Sequence, residues 1–291
     1  MSAALSPAVM EVLEGIEIPE GQVNVPEETI LANIASAIRR GLPQVWQQRP
    51  NPSVVCLVGG GPSLIATEHE LRDLSFDPNV EVVTVNGAYR WCIDRNIRPS
   101  AQVVVDARAS NARFLDPYVP ECRYYLASQA HPDAFDRVMD RRWVGLFHAV
   151  GGSDEDDTAA KQLLHDYYLG RWQGVAGGST VTTRAIGLLR MMGYLRFHLF
   201  GVDSCWMDGL HHAYAQPENE HDRRYRVSMS PSGHEDRARE FFCAPWHVKQ
   251  FQDLLRFIRL SGDSFLLNVH GTGLLAHALT DAAEVARIEE L

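Results

Sequence analysis

The chain has 291 residues and a formal net charge of −10 at pH 7, from 27 basic and 37 acidic side chains. Only two of the basic residues are lysines, Lys161 and Lys249, which excludes a lysine-bearing phosphate loop and leaves arginine, backbone amides or a metal for phosphate chemistry. The acidic balance also argues against a protein that coats nucleic acid with its whole surface. A hydrophobic share of 45% is ample for a core, and no apolar run approaches the roughly 18 residues that span a bilayer.

The first 25 residues carry four glutamates and no basic residue, so they lack the basic stretch that opens a signal peptide. We expect a loose N-terminal arm and a cytoplasmic protein. From Glu27 apolar residues recur with helical spacing up to Gly41, a suitable position for the end of a helix. The five cysteines are widely spaced and odd in number, which favours reduced, buried thiols over disulfides or a zinc site.

After residue 50 the chain alternates short apolar runs with amphipathic stretches. This alternation is typical of βαβ units with a parallel sheet buried on both faces. Strands are predicted at 54–58, 80–85, 102–105, 124–127, 144–147 and 197–200, and helices at 63–74, 88–95 and 180–192. We therefore predict an α/β fold, a Rossmann-like sandwich with a mostly parallel sheet, divided into an N-terminal arm and helix (1–50), a nucleotide-binding core (51–215), and a lid-like segment with C-terminal helices (216–291).

Ligands bind such sheets outside the carboxyl ends of the strands. The polar residues and glycines that follow the predicted strands therefore define one candidate site. Its members are Gly59, Gly60, Gly61, Ser63, Asn86, Asp106 and Asp203.

The first motif is LVGGGPSL, residues 57–64. Three glycines after a buried strand let the backbone approach a ligand, and Ser63 can cap a helix whose first amides favour an anion. The proline breaks any dinucleotide fingerprint. A glycine turn that only packs a strand against a helix is the alternative interpretation.

The second motif, GVAGGSTVTTRA at residues 174–185, places Gly178, Ser179 and Thr180 at the start of a helix. It predicts a second group of amides suited to an anion, although an ordinary helix cap explains the same letters.

The third motif, FGVDSCWMDGLHHAY at residues 200–214, ends a strand at Gly201 and Asp203 and then brings Asp208, His211 and His212 to the same edge. Histidine suits general base catalysis near neutral pH, and a carboxylate at a strand end suits a metal or a sugar hydroxyl. A surface loop with solvated histidines is the alternative. Cys205, inside this motif, is expected to pack rather than react.

These motifs, together with NGAYRWCIDRNIRPSAQVVVDA at residues 86–107, occur in the order of the family named for 6-hydroxymethylpterin diphosphokinase. The chain resembles this MptE-like family, which includes the motility accessory factor glycosyltransferases, over roughly residues 53–215. The GGPSL letters also look like the nucleotide-sugar loop of a group of bacterial sialyltransferases. The resemblance implies a Rossmann-like transferase with a nucleotide-linked donor.

Carried onto this chain, the family's glycine loop falls on residues 59–63, and its strand-end aspartate falls on Asp106. Ser100 stands where the family usually has an aspartate. The glycosyltransferase branch's GxD and DGxxHA letters fall on Gly201, Asp203, Asp208, Gly209, His212 and Ala213.

The resemblance favours a glycosyltransferase that moves a sugar from a nucleotide-sugar donor to an acceptor hydroxyl. The leaving phosphate would lie on the amides of Gly60, Gly61 and Ser63, helped by a divalent metal (Mg²⁺ or Mn²⁺) on Asp106 or Asp203. His212 would deprotonate the acceptor, which is a glycan, a protein or a modified nucleic acid. The alternatives are an ATP-dependent diphosphokinase of a pterin-like alcohol and a non-catalytic nucleotide-binding module. We expect no membrane partner, and self-association into a homo-oligomer is left open.

The tail contains an arginine-rich stretch, residues 221–240, which is either an acceptor-binding lid or, as we prefer, a solvated loop of mixed charges. Residues 246–260 have the spacing of a helix that packs in the core or at a dimer face. Trp172, Trp206 and Trp246 are candidates for stacking on a base or sugar, with Trp206 the best placed.

Overall fold

The computed structural model describes residues 25–151, 157–216, 218, 221–230, 234–261, 265–280 and 285–290. The predicted arm lies outside these residues except for Val25. All five cysteines are reduced and buried, which confirms the expected thiols. None of the helices in the described ranges is long and apolar enough to span a membrane.

Eleven strands and eight helices make up the described part of the chain. The strands are β1 (Asn51–Val58), β2 (Val80–Val85), β3 (Ala101–Val104), β4 (Arg123–Ala127), β5 (Val144–Val150), β6 (Gly174–Ala176), β7 (Tyr194–Phe200), β8 (Tyr225–Ser230), β9 (Arg239–Cys243), β10 (Leu266–Val269) and β11 (Val285–Glu290). The helices are α1 (Glu27–Ile38), α2 (Glu68–Leu74), α3 (Ala88–Asp94), α4 (Pro132–Asp136), α5 (Thr158–Tyr168), α6 (Val181–Met191), α7 (Pro245–Ser261) and α8 (Leu274–Thr280).

Eight of the strands form one sheet in the order β10-β7-β1-β2-β3-β4-β5-β6, and every pairing in it is parallel. The order runs outward from β1 through β6 on one side and through β7 and β10 on the other. The direction of winding therefore reverses between β1 and β7, the position at which open α/β sheets bind ligands. The predicted α/β Rossmann-like fold is confirmed.

Both faces of this sheet are covered, because neighbouring residues of one strand enter different cores. On β1, Val55 and Leu57 pack with the cluster that holds α6, α7 and α8. Cys56 and Val58 pack with the cluster that holds α2 and α3. The continuous apolar run at 54–58 is thus the signature of a strand buried on two sides.

The predicted helix 63–74 forms in two parts. Residues Pro62–Leu64 make a turn of 3₁₀-helix, and α2 begins only at Glu68. Ser63 is buried inside the turn, and its side chain does not cap α2. The prediction of Ser63 as a helix cap is wrong because the loop tightens around the buried residue.

The arginine-rich stretch 221–240 is not a solvated loop. It contains β8, which pairs in antiparallel fashion with β9 and β11 in a second, three-stranded sheet. Val227 and Met229 are fully buried, while Arg226 and Ser228 alternate with them and are only partly buried. Apolar and polar residues alternate with period two in the letters YRVSMS, but the charged residues around them favoured the interpretation as a loop.

The helix predicted at 246–260 is α7, and its apolar stripe is core, with Phe251, Leu254 and Leu255 buried. β10, next to β7, adds an eighth strand to the main sheet. The segment after residue 215 therefore adds a strand to the main sheet and helices to the layer on one of its faces.

Candidate functional site

The carboxyl ends of β1, β2, β3 and β7 open into a cavity of about 860 Å³. The start of α6, the start of α7, residues 211–216 and residues 221–225 close its other sides. The structure brings most of the predicted site residues together there. Those that line it are Gly60, Gly61, Asn86, Asp106, Gly178, Ser179, Thr180, Asp203 and His212, whereas Gly59 and Ser63 lie behind the wall.

The first glycine loop is packed against the third motif. A Cβ on Gly59 would lie 2.5 Å from the carbonyl oxygen of Gly201. A Cβ on Gly60 would collide with the ring of His212, and one on Gly61 with the carboxylate of Asp203. The missing side chains therefore leave room for neighbouring groups of the protein itself, so the packing interpretation of this loop accounts for all three glycines.

The amides of the same loop are largely occupied. Gly59 N donates to Phe200 O at 2.8 Å, and Gly61 N donates to Gly201 O at 2.7 Å. Ser63 N donates to Asp203 Oδ2 at 2.9 Å. The expected phosphate cradle on the amides of Gly61 and Ser63 is therefore wrong, because protein oxygens already accept their hydrogens. The amide of Gly60 is the one in this loop that makes no hydrogen bond within the described residues.

Asp203 is 3% exposed and ties the loops together. Burial raises the pKa of its carboxyl from 3.8 to about 6, and the hydrogen bond from Ser63 opposes that rise. A Cβ on Gly273 would lie 2.7 Å from the Cα of Asp203, so the chain after β10 backs this residue closely. A buried carboxyl with a pKa near neutrality, at the edge of a cavity, is a group suited to proton transfer.

The second glycine loop is also closed by a carboxylate. Asp253 Oδ2, from α7, accepts hydrogen bonds from Ser179 N at 2.6 Å and from Ser179 Oγ at 2.7 Å. Gly178 is a glycine because Asp253 packs directly against it. Thr180 caps α6 in a reciprocal capping box with Thr183. An ordinary helix cap with an internal anion thus explains this motif, and the predicted amides at Ser179 and Thr180 are occupied.

Two histidines of the third motif reach the cavity. The Nδ1 atoms of His211 and His212 lie 2.5 Å apart, so one ring is the donor and the other the acceptor. Burial and the neighbouring His211 lower the pKa of His212 to about 3. His212 is therefore neutral near pH 7, which makes it a hydrogen-bonding group and a weak base.

Comparison with known proteins places this arrangement in a family. A family model described as 6-hydroxymethylpterin diphosphokinase MptE-like matches residues 28–209, more than half of the chain. The chain belongs to the MptE-like family. Among solved structures, the MAf glycosyltransferase from Magnetospirillum magneticum AMB-1 is similar, with a TM-score of 0.59 and 13% identity over 90% of this chain. The chain spans 42% of the length of that protein. No curated protein matches.

In this MptE-like chain the acids at the strand ends do not form a metal site. Asp106 uses both of its oxygens on the guanidinium of Arg108, with Nε at 3.0 Å from each. Asp203 is enclosed and already accepts from Ser63. Within the described ranges there is no group of three histidine, cysteine or acidic side chains placed to hold a metal. The donor set does not fit a divalent ion held by Asp106 and Asp203.

Asn86 follows β2 in the left-handed conformation, with φ at +47°. Its backbone oxygen accepts from Gln102 Nε2 at 3.0 Å, and its Oδ1 is buried without a partner. Backbone strain at a strand end next to a cavity is characteristic of functional positions. The predicted place of Asn86 in the site is thus supported by geometry that the sequence did not show.

Sequence reasoning missed several residues of the MptE-like site. Trp246, and not Trp206, lines the cavity. Trp206 packs against His211 at 4.9 Å and under Arg224, while Trp172 packs against His148. The missed residues that line the cavity include Arg108, Arg184, Asp222 and Gln250, whereas Trp246 was among the three tryptophans named from the sequence. Arg108 could have been found from its position two residues after Asp106, but the others come from segments whose path the sequence does not reveal.

Proposed function

We propose that this chain is a transferase that moves a sugar from a nucleotide-activated donor to an acceptor hydroxyl. One observation carries the proposal. The ends of β1, β2, β3 and β7 open into one cavity that holds both a buried carboxyl with a pKa of about 6, on Asp203, and a neutral imidazole, on His212. Membership of the MptE-like family and the fold shared with a glycosyltransferase support the same reaction class.

The donor's phosphates would bind where positive groups face the cavity. These groups are the guanidinium groups of Arg108, Arg184 and Arg223 and the amide of Gly60. Arg108 is held in place by Asp106, and Arg184 by the carbonyl oxygens of Val150 and Val175. These arginines can stabilise the leaving phosphate without a protein-held metal.

We assign proton acceptance to Asp203 and orientation of the acceptor hydroxyl to His212. Asp203 is mostly ionised at pH 7, and its conjugate acid is about three pKa units weaker than that of His212. Because general base efficiency rises with basicity, Asp203 is the better acceptor of the two. His212 stays neutral and can hydrogen-bond the same hydroxyl.

A diphosphokinase of a pterin-like alcohol is the second candidate, favoured by the name of the family model. That reaction uses a metal-bound triphosphate. The acids at the strand ends are engaged by Arg108 and Ser63 and so offer that metal little support. The sugar-transfer reaction, in which arginines can neutralise the leaving phosphate, is the better match to the described residues.

Release of free nucleotide during slow donor hydrolysis tests this proposal without knowledge of the acceptor. The protein is incubated with UDP-, GDP- and CMP-linked sugars and, separately, with ATP and Mg²⁺. We expect nucleotide release from at least one sugar donor, with a rate that falls as pH drops through about 6 because Asp203 becomes protonated. Conversion of ATP to AMP in the presence of a pterin alcohol, without hydrolysis of any sugar donor, would favour the diphosphokinase. A profile that stays flat down to pH 4 would move the base role to His212.

A further inference from the structure

The cavity is lined by two chemically different sets of residues. One set, here called the ring wall, is aromatic and comes from residues 211–214, residue 225 and the start of α7. The members of the ring wall are His211, His212, Tyr214, Tyr225, Trp246 and His247. The other set, here called the polar side, includes Asn86, Thr180, Thr182 and Arg108 paired to Asp106.

Trp246 is held rigidly within the ring wall. Its indole Nε1 donates to Asp222 Oδ2 at 2.8 Å. The ring of His247 lies 3.6 Å from it, centroid to centroid, and the ring of His212 lies 5.8 Å away. Because the indole is fixed on both its polar edge and its ring neighbours, it offers a ligand a preorganised surface at little entropic cost.

The two imidazoles next to Trp246 in the ring wall are uncharged near pH 7. Burial lowers the pKa of His212 to about 3 and holds the pKa of His247 well below its usual range. An uncharged aromatic surface attracts apolar and C–H-bearing faces and gives phosphate no ionic partner. Phosphate binding is therefore directed toward Arg108 and Arg184.

A pyranose ring matches this division. One of its faces presents C–H groups, and its edges carry hydroxyls that both donate and accept hydrogen bonds. The C–H face can lie on the indole while hydroxyls reach the polar side, where Asn86 and Arg108 line the cavity. The transferred sugar would then lie beside His212, where the proposed function places the acceptor hydroxyl.

We infer that Trp246 is a specificity-determining residue whose indole supports the sugar ring of the donor. This inference rests on the proposed sugar-transfer function. It assigns the sugar to the ring wall and the nucleotide to the polar side. It also makes Asp222 a positioning residue, since it fixes the indole and does not itself need to touch the sugar.

The test measures binding of a sugar nucleotide against its free nucleotide by calorimetry, with UDP-N-acetylglucosamine, GDP-mannose and CMP-N-acetylneuraminic acid beside UDP, GDP and CMP. In Trp246→Leu we expect the best sugar nucleotide to bind roughly tenfold more weakly, as loss of one aromatic stacking partner implies. Binding of the free nucleotide should change by less than about twofold. Trp246→Phe, which retains a ring, should recover part of the loss, and Asp222→Asn, which retains an acceptor for the indole N–H, should lose less than Trp246→Leu.

Trp143→Leu is the matched control, because Trp143 is half exposed, stacks under Arg142 and does not line the cavity. It should leave both ligands unaffected. If Trp246→Leu weakens both ligands equally or neither, the inference is overturned while sugar transfer stands. If the unaltered protein binds no sugar nucleotide at all, the proposed function is overturned and the inference with it.

Discussion

At the scale of single residues, Asp203 joins the architecture to the proposed chemistry. The carboxylate accepts from the Ser63 amide and lies against Gly61, so it fills a space that the sequence motif suggests for a ligand anion. Its enclosure is unfavourable for an ionised group and raises its pKa to about 6. Active sites commonly retain such groups at a cost in stability, because function requires them.

Asp203→Asn should therefore stabilise the protein at neutral pH. A folded-state pKa of about 6 against 3.8 means that the folded protein binds the proton more tightly, so stability falls as pH rises from about 4 to 6. The full difference is ~3 kcal/mol above that window. Thermal unfolding at pH 4 and pH 7 should show a higher Tm for the variant at pH 7 and a much smaller difference at pH 4.

Asp94→Asn is the control for that measurement, since Asp94 lies on the surface in an ion pair with Arg90. It should show no comparable rise at pH 7. A destabilised Asp203→Asn at pH 7 would mean that the ionised carboxylate is a net favourable part of the fold.

At the scale of the elements, the helices and strands of the core were largely predictable, and the glycine motifs were not. β1, β2 and β4 can be recognised in the sequence as apolar runs, because both of their faces are buried. The motif letters GGST give no sign of what meets them, because Asp253 is 75 residues beyond Gly178 in the chain. The same letters serve a phosphate or an internal carboxylate, and only the packing of α7 on α6 distinguishes the two.

Asp253→Ala should lower the stability of the start of α6. The variant loses the two hydrogen bonds that Ser179 donates, which together contribute about 1 kcal/mol, and the Tm should fall by a few degrees. Inorganic phosphate should raise the Tm of the variant more than the Tm of the unaltered protein, because the freed N–H and O–H of Ser179 can then donate to an added anion.

Thermal unfolding in phosphate and in chloride at matched ionic strength measures this effect. Asp166→Ala serves as the control, since Asp166 accepts a hydrogen bond from Gln162 on the exposed face of α5. Equal responses to phosphate in Asp253→Ala and the unaltered protein would show that the second loop is no anion site even when its donors are free.

At the scale of the whole molecule, the tail decides the character of the cavity. The family match ends at residue 209, yet Asp222 and every member of the ring wall come from beyond it. The sequence indicated one core and a lid-like tail, and it could not show which rings the tail adds to the cavity. Those contacts depend on how distant segments pack, for which no local pattern exists.

The net charge of −10 is consistent with this picture, because acids around the cavity accept hydrogen bonds from the protein itself. Asp106, Asp203 and Asp253 accept from Arg108, Ser63 and Ser179. The acids instead position arginines and loops around the cavity. Binding of an anionic donor then depends on a few local positive groups in an otherwise acidic protein.

The most direct test of the account is a thermal-shift comparison of sugar nucleotides, free nucleotides and ATP, each with and without Mg²⁺. A ligand at 100 times its Kd adds ~2.7 kcal/mol to the free energy of unfolding. We predict that one sugar nucleotide raises the Tm more than its free nucleotide does, that the rise does not require the metal, and that ATP gives no comparable shift. A rise with ATP and Mg²⁺ alone, or no rise with any sugar nucleotide, would contradict the account.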